Sequence, residues 1–282
     1  GSLTLRGVSG GSSRVDNVYV GYKGGGDNFG KGILDVSTGS IDARVTNFIV
    51  GRYVVYASTN QTGTFSMTSG TLDATAVTLG SVNVATGSVG NPAIAATVNQ
   101  GGGIVKAASL TFGVNTGVSG LNNLPTFTST YNLTGGTLAA GIVASGAGTS
   151  GSTSLRSVNW TGGTITTYDT STDLTMTGVS GSGGAIVVAV SGGDTKTFDV
   201  PAGRTATLGD YVTLTGSATG FTKSGGGTLV LGSTTGFTST YSGSAAVQGG
   251  TLRLGNAAAV SSGSIAPLAG GTLALTPYLQ AT

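Results

Sequence analysis

The 282-residue sequence has no cysteine, no histidine and no glutamate, and only 8% of its residues are charged. Without His and Cys it can build neither a Ser-His-Asp nor a Cys-His nucleophile, and no imidazole or thiolate metal site. The lack of cysteine leaves the compartment open, since cytosolic and bacterial extracellular proteins alike manage without disulfides. All ten acids are Asp, which suits turns, while Glu, which suits helix interiors, is missing; substantial helix is therefore not expected. The longest apolar run, Ala185 to Val190, is far too short to cross a bilayer, so no membrane-spanning segment is expected. Net charge is +2 and the twelve Lys and Arg are scattered singly, which argues against a nucleic-acid partner. No initiating Met or signal peptide is present, so the chain is expected to be a processed piece or an excerpt of something longer.

What is there is glycine, 53 of 282 residues, with 38% hydrophobic residues and only 5 prolines. That hydrophobic content separates it from a disordered Gly-Ser linker and points to a folded all-β chain. A cassette of two glycines, a threonine and an aliphatic residue recurs: Gly135-Gly136-Thr137-Leu138, Gly162-Gly163-Thr164-Ile165, Gly226-Gly227-Thr228-Leu229, Gly249-Gly250-Thr251-Leu252 and Gly270-Gly271-Thr272-Leu273. Looser copies are Ser69-Gly70-Thr71-Leu72 and Gly183-Gly184-Ala185-Ile186. From Thr137 onward the third residues step by 27, 21, 43, 23 and 21, the 43 reading as two turns with one cassette blurred. A strand and tight turn repeating every 21 to 27 residues is what a solenoid needs.

The first eighty residues carry a longer repeat. Arg14-Val15-Asp16-Asn17-Val18-Tyr19-Val20-Gly21 matches Arg44 to Gly51 at a shift of 30, and Gly32 to Ala43 matches Gly63 to Ala74 at a shift of 31. Period-2 alternation within these units puts Ile33, Leu34 or Val36 on the faces of their counterparts Phe65 and Met67. Tyr131 to Leu138 likewise parallels Val158 to Ile165, and Phe127-Thr128-Ser129-Thr130-Tyr131 returns as Phe237 to Tyr241.

One such unit cannot bury its apolar face alone. Stacking the next copy about 4.8 Å away pairs each strand with its equivalent and aligns aliphatics inside, with Thr, Ser and Asn outside. The expected architecture is a single β-solenoid over residues 1–282, of about twelve coils and on the order of 55 to 60 Å long at roughly 23 residues per coil. Val114 to Thr126 and Ala144 to Thr153 break the period and are expected to protrude as loops, with a weak sub-boundary near 114–126.

Residues from about Val212 to Leu275 resemble the autotransporter-associated β-strand repeat. The likeness rests on Phe221-Thr222-Lys223-Ser224-Gly225-Gly226-Gly227-Thr228-Leu229-Val230-Leu231, Phe237 to Gly243, and Val247-Gln248-Gly249-Gly250-Thr251-Leu252-Arg253-Leu254-Gly255, about a quarter of the chain. It implies a right-handed parallel β-helix exported to the surface of a Gram-negative bacterium. The barrel and signal sequence that such proteins usually carry are not in this chain, which leaves the export route open.

Paired carboxylates are the remaining route to hydrolysis. Asp169 with Asp173 is the closest pair in sequence and Asp194 with Asp199 the next; the competing reading makes them corner residues capping backbone amides. The stretch Lys23-Gly24-Gly25-Gly26-Asp27-Asn28-Phe29-Gly30 lacks the Gly-Lys-Ser/Thr ending of a phosphate loop and enough oxygens for Ca²⁺, and reads as a corner. Sequons at Asn60, Asn132 and Asn159 read as chance matches, the last two as outward Asn of a repeated strand. Trp160 is expected to pack in a column with Leu133 rather than stack on sugar. Thr arrays on β-helices can bind ice, but Thr spacing here varies between coils. No catalytic residue, cofactor or metal site is therefore expected.

Neither Gly1-Ser2-Leu3-Thr4-Leu5 nor Ala274 to Leu279 reads as a charged or helical cap. Solenoid strands left open in this way, on a surface with so few charges, favour assembly. The expected role is an extracellular structural rod, stalk or fibre able to polymerise end to end. The alternatives are an adhesin touching surface glycans through the 114–126 and 144–153 loops, and a β-helix polysaccharide lyase or hydrolase.

Overall fold

The computed structural model describes residues 1–24, 30–54, 60–84, 92–116, 125–146, 154–181, 183–217, 219–232, 236–256, 259 and 263–275. It is an all-β solenoid in which every strand pairing is parallel. The first level holds β1 (Ser2–Leu5), β2 (Val15–Lys23) and β3 (Gly30–Val36). The next four levels alternate one long bent strand with one shorter one. They comprise β4 (Ser40–Tyr53) and β5 (Gln61–Met67), β6 (Gly70–Val82) and β7 (Ala93–Gln100), β8 (Ile104–Asn115) and β9 (Thr126–Leu133), then β10 (Thr137–Ser145) and β11 (Leu155–Trp160).

From there the long strand splits in two, giving three strands per level. These are β12 (Gly163–Thr167), β13 (Leu174–Thr177) and β14 (Ile186–Val190), then β15 (Lys196–Asp199), β16 (Thr205–Leu208) and β17 (Val212–Thr215). They are followed by β18 (Phe221–Ser224), β19 (Thr228–Leu231) and β20 (Thr238–Ser239). Four more strands close the stack: β21 (Ala245–Val247), β22 (Gly250–Leu254), β23 (Ile265–Pro267) and β24 (Gly271–Leu275). One 8-stranded sheet runs through β3, β5, β7, β9, β11, β14, β17 and β20; the rest form the other, 16-stranded sheet.

Among the described residues, the number of coils follows from one column. Val18, Phe48, Val77, Leu110, Val143, Met176, Leu208, Leu231, Leu254 and Leu275 stack in unbroken register across ten levels. Nine steps of about 4.8 Å make a stack roughly 43 Å tall, shorter than the expected twelve coils. The reason is coil length. Successive members of the column lie 30, 29, 33, 33, 33, 32, 23, 23 and 21 residues apart, so the short period holds only beyond Leu208. Pairing of β7 with β9 and of β8 with β10 continues across residues 114–126, and the strand split comes later, at β12 and β13.

Two bends shape the long strands. Between Val45 and Asn47, and at the matching places in β6, β8 and β10, the register skips one residue, the chain turning there in concert at every level. The second bend is a glycine column, Gly21, Gly51, Gly80 and Gly113, with φ of 76, 73, 80 and 63°. An L side chain pays heavily for that conformation, and a Cβ on Gly80 would come within 2.9 Å of the Phe127 ring.

The interior is filled by columns, as stacking demands. Leu34, Phe65, Val98, Tyr131, Val158, Val188 and Leu214 form a second one in the shorter sheet. Trp160 stacks on Leu133 as expected and is fully buried. It begins an aromatic series: its ring meets Phe198 edge-on at 4.7 Å, Phe198 meets Phe221 at 5.6 Å, and Phe221 meets Tyr241 at 5.5 Å. Each fully buried ring or large aliphatic contributes about 1.5–3 kcal/mol, so these columns hold the coils together.

Register also corrects one repeat assignment. Gly32 pairs with Gly63 at the expected shift of 31, but Ala43 pairs with Leu72, a shift of 29 rather than 31. The slip of two occurs at the corner after β5, and because side chains alternate with period two it leaves the buried face unchanged.

Candidate functional site

Of the carboxylates singled out from sequence, those of Asp169, Asp173 and Asp199 carry structural bonds. Asp169 sits between β12 and β13, where Oδ1 accepts from the Ser171 and Thr172 amides, both at 2.8 Å, and from the Ser171 hydroxyl. The Ser171 hydroxyl and amide, then Thr172, bring its carboxyl down to about 2 although it lies in solvent. Asp173 accepts from the Thr205 amide at 3.0 Å and lies 3.7 Å from Arg204, fastening one level to the next. Asp199 accepts from the Ser224 hydroxyl at 2.7 Å, and the Asp194 backbone carbonyl accepts from Lys196. Among the described residues no three acids gather where they could hold a metal ion. Asp27 and Asn28 lie outside the described residues.

The sequon asparagines divide. Asn60 Oδ1 accepts from the Ala93 amide at 3.2 Å. Asn132 and Asn159 belong to an outward ladder: Asn159 donates to Asn132 and Asn132 to Asn99, each at 2.8 Å, and Asn99 donates to the Ser66 hydroxyl at 3.1 Å. Beside it run Thr64, Thr97, Thr130 and Ser157, one per level, so on this sheet the hydroxyl spacing is regular where variation was expected. Of the two expected loops, Val114, Asn115, Thr126, Ala144 and Ser145 are strand residues; 117–124 and 147–153 lie outside the described residues.

Four cations are buried among the described residues, Lys23, Arg156, Lys196 and Lys223, and sequence reasoning missed them. Lys223 occupies a buried column position between Phe198 and Val247, and its ammonium donates to the carbonyls of Ser224, Gly225 and Gly249 at 2.6, 2.8 and 3.0 Å. Lys196 does the same for Thr161, Gly192 and Asp194. Burial lowers the pKa of both lysines. Arg156 donates to the carbonyls of Phe112 and Gly183. Arg156, Lys196 and Lys223 satisfy carbonyls turned inward at glycine corners, which would otherwise be buried unpaired. A polar contact of the same kind joins Tyr131 Oη to Gln100 Oε1 at 2.5 Å, and burial pushes the phenol well above its ordinary value.

Two surface features stand out. At the first level an open concavity of about 390 Å³ is lined by Leu3, Leu5, Val18, Val20 and Leu34, with Tyr19 and Ile33 among the residues around it. On the outer wall Tyr19 and Tyr22 lie 38% and 53% exposed with ring centroids 5.4 Å apart. The Arg52 guanidinium lies 4.6 Å from the Tyr19 ring and donates to its hydroxyl at 2.6 Å. Most other aromatic rings among the described residues are buried.

Comparison of the chain with models of protein families, with curated proteins and with solved structures finds no match in any of the three. No helix among the described residues is long and apolar enough to cross a membrane.

Proposed function

We propose that the chain is an extracellular structural element, a stiff rod or stalk that lengthens by adding coils end to end. The observation that carries this is the stack itself. Parallel pairing runs through ten levels, and among the described residues β1, β2 and β3 at one end and β20, β23 and β24 at the other have a partner on one edge only. Unpaired backbone groups above an apolar concavity favour a further coil, whether from neighbouring chain or from another copy. The sparse charge offers little repulsion between copies. The likeness of Val212 to Leu275 to the autotransporter-associated repeat supports a Gram-negative cell surface as the location. The test is electron microscopy of the purified chain in near-physiological salt: filaments with an axial repeat near one stack height support end-to-end assembly, and isolated short rods at high concentration refute it.

The second reading, an adhesin for surface glycans, is favoured by the exposed Tyr19 and Tyr22 pair. For the third, a polysaccharide lyase or hydrolase, Asp169 and Asp173 would have to leave the amides they hold. Turnover of an acidic polysaccharide that disappeared in Asp169→Asn would establish it.

A further inference from the structure

We infer that the outer face of the shorter sheet, from β5 to β20, is a lateral contact with a second copy of this chain, the two stacks lying side by side and antiparallel. This goes beyond lengthening at the ends and does not depend on it. Three observations converge. The face carries no charge: its outward positions run from Thr62 and Thr64 on β5 to Thr215 on β17 and Thr238 on β20, and all are Thr, Ser, Asn, Ala, Val or Leu. The other sheet, by contrast, presents Asp16, Asp42, Arg44, Arg52, Lys106 and Arg253. A solvated wall ordinarily mixes charges of both signs, whereas depletion of charge marks the centre of an interface.

The polar groups of the face are also bonded to one another already. The Asn159, Asn132 and Asn99 amides form the ladder that ends on Ser66, and the Thr213 and Thr238 hydroxyls lie 2.9 Å apart. Groups paired within the face cost less to strip of water. Finally, β11 is the middle strand of the seven, and on it Leu155 stands 63% exposed. A twofold axis along β11 lays β5 over β20 of the second copy, β7 over β17 and β9 over β14, and sets Leu155 against its counterpart. The exposed aliphatic thereby becomes a buried centre. Charge returns to this sheet on β3, where Lys31 and Asp35 fall beyond the overlap.

The size suffices. Strands about 4.8 Å apart, with outward positions about 6.7 Å apart along each, make a strip of about 34 by 17 Å. Two such strips bury about 1,200 Å² in all, the lower bound of specific interfaces. Small branched and amide side chains let flat faces of this kind interdigitate. Ice, the other ligand that a hydroxyl-rich wall invites, would need a hydroxyl at every place, and Ala95, Leu155, Val187 and Ala189 interrupt the array.

The test is sedimentation velocity of the whole chain from micromolar to millimolar concentration. A dimer that closes at two is expected, distinct from the open series that end-to-end growth produces. Thr130→Lys sets a charge over β14 of the second copy and should weaken the dimer at least about tenfold, whereas Thr207→Lys on the other sheet leaves it unchanged. Because the chain has no cysteine, Leu155→Cys supplies one thiol per copy, and a short bis-maleimide is expected to join the two. Circular dichroism of each variant guards against misfolding. A chain that stays monomeric or forms only an open series, a dimer indifferent to Thr130→Lys, or one that the Leu155→Cys thiols do not cross-link overturns the inference. Thermal hysteresis of ice growth by a monomeric chain overturns it too and makes the wall an ice-binding face. A retained dimer without filaments supports the inference while refuting growth at the ends.

Discussion

Replacing Trp160 by alanine tests whether the interior columns carry the stability of this solenoid. The indole is fully buried on the fifth level, touches Phe198 of β15 and Phe221 of β18 further along the stack, and donates Nε1–H to the Gly163 carbonyl at 3.2 Å. Truncation of a buried Trp costs about 3–5 kcal/mol, and the orphaned carbonyl places this site toward the upper end. With a denaturant slope of about 3 kcal/mol/M, the urea midpoint falls by about 1 to 1.7 M. Because this is the sole Trp, far-UV circular dichroism is the probe. Coils contact mainly their neighbours, so a gap in mid-stack should also split the transition in two, the parts before and after Trp160 melting separately. Trp160→Phe, which keeps a ring over Phe198, should lose only about 1–2 kcal/mol. A midpoint shift under about 0.3 M with one sharp transition would refute the column argument.

Gly80→Ala forces a side chain into φ of 80° and against Phe127, and should cost about 1–2 kcal/mol or more, whereas Gly193→Ala, with open space around it, should leave the urea midpoint unchanged. Tyr131→Phe leaves the buried Gln100 Oε1 without its phenol donor and should cost about 1–3 kcal/mol, read from the same titration. Asp169 titrates at about 2 in the folded chain against 3.8 in the unfolded one, so its contribution is present above pH 3.8 and is lost as pH falls through about 2. The thermal midpoint of Asp169→Asn should accordingly lie below that of the parent at pH 6, and the gap should close by pH 2.

Much of the fold was legible in the chain. Period-two alternation with Thr, Val and Gly sufficed for parallel stacked strands, and the near-identical segments at Val15 and Val45 gave a register that the pairing keeps. The pairing of Trp160 with Leu133 was legible for the same reason. The Gly-Gly-Thr cassettes misled. Those at Thr137 and Thr164 open β10 and β12 on one corner, that at Ala185 opens β14 in the other sheet, and those at Thr228, Thr251 and Thr272 open the column descending from β13. Two glycines and a threonine make a tight turn into a strand at any corner, so the cassette marks a turn and not its phase.

The sequence by itself therefore determined the strand-forming segments, which face of each is apolar, and that copies must stack, because these depend on alternation and local backbone freedom. Only the tertiary structure decided how many residues close a coil, the two-residue slip after β5, and which polar groups go inside. Lys223, Lys196 and Arg156 look like surface residues in one dimension; they are buried because inward carbonyls at the corners, set by chain closure, leave donors wanting. The Tyr19, Tyr22 and Arg52 cluster is likewise written across two coils 30 residues apart, and exists only once they are layered.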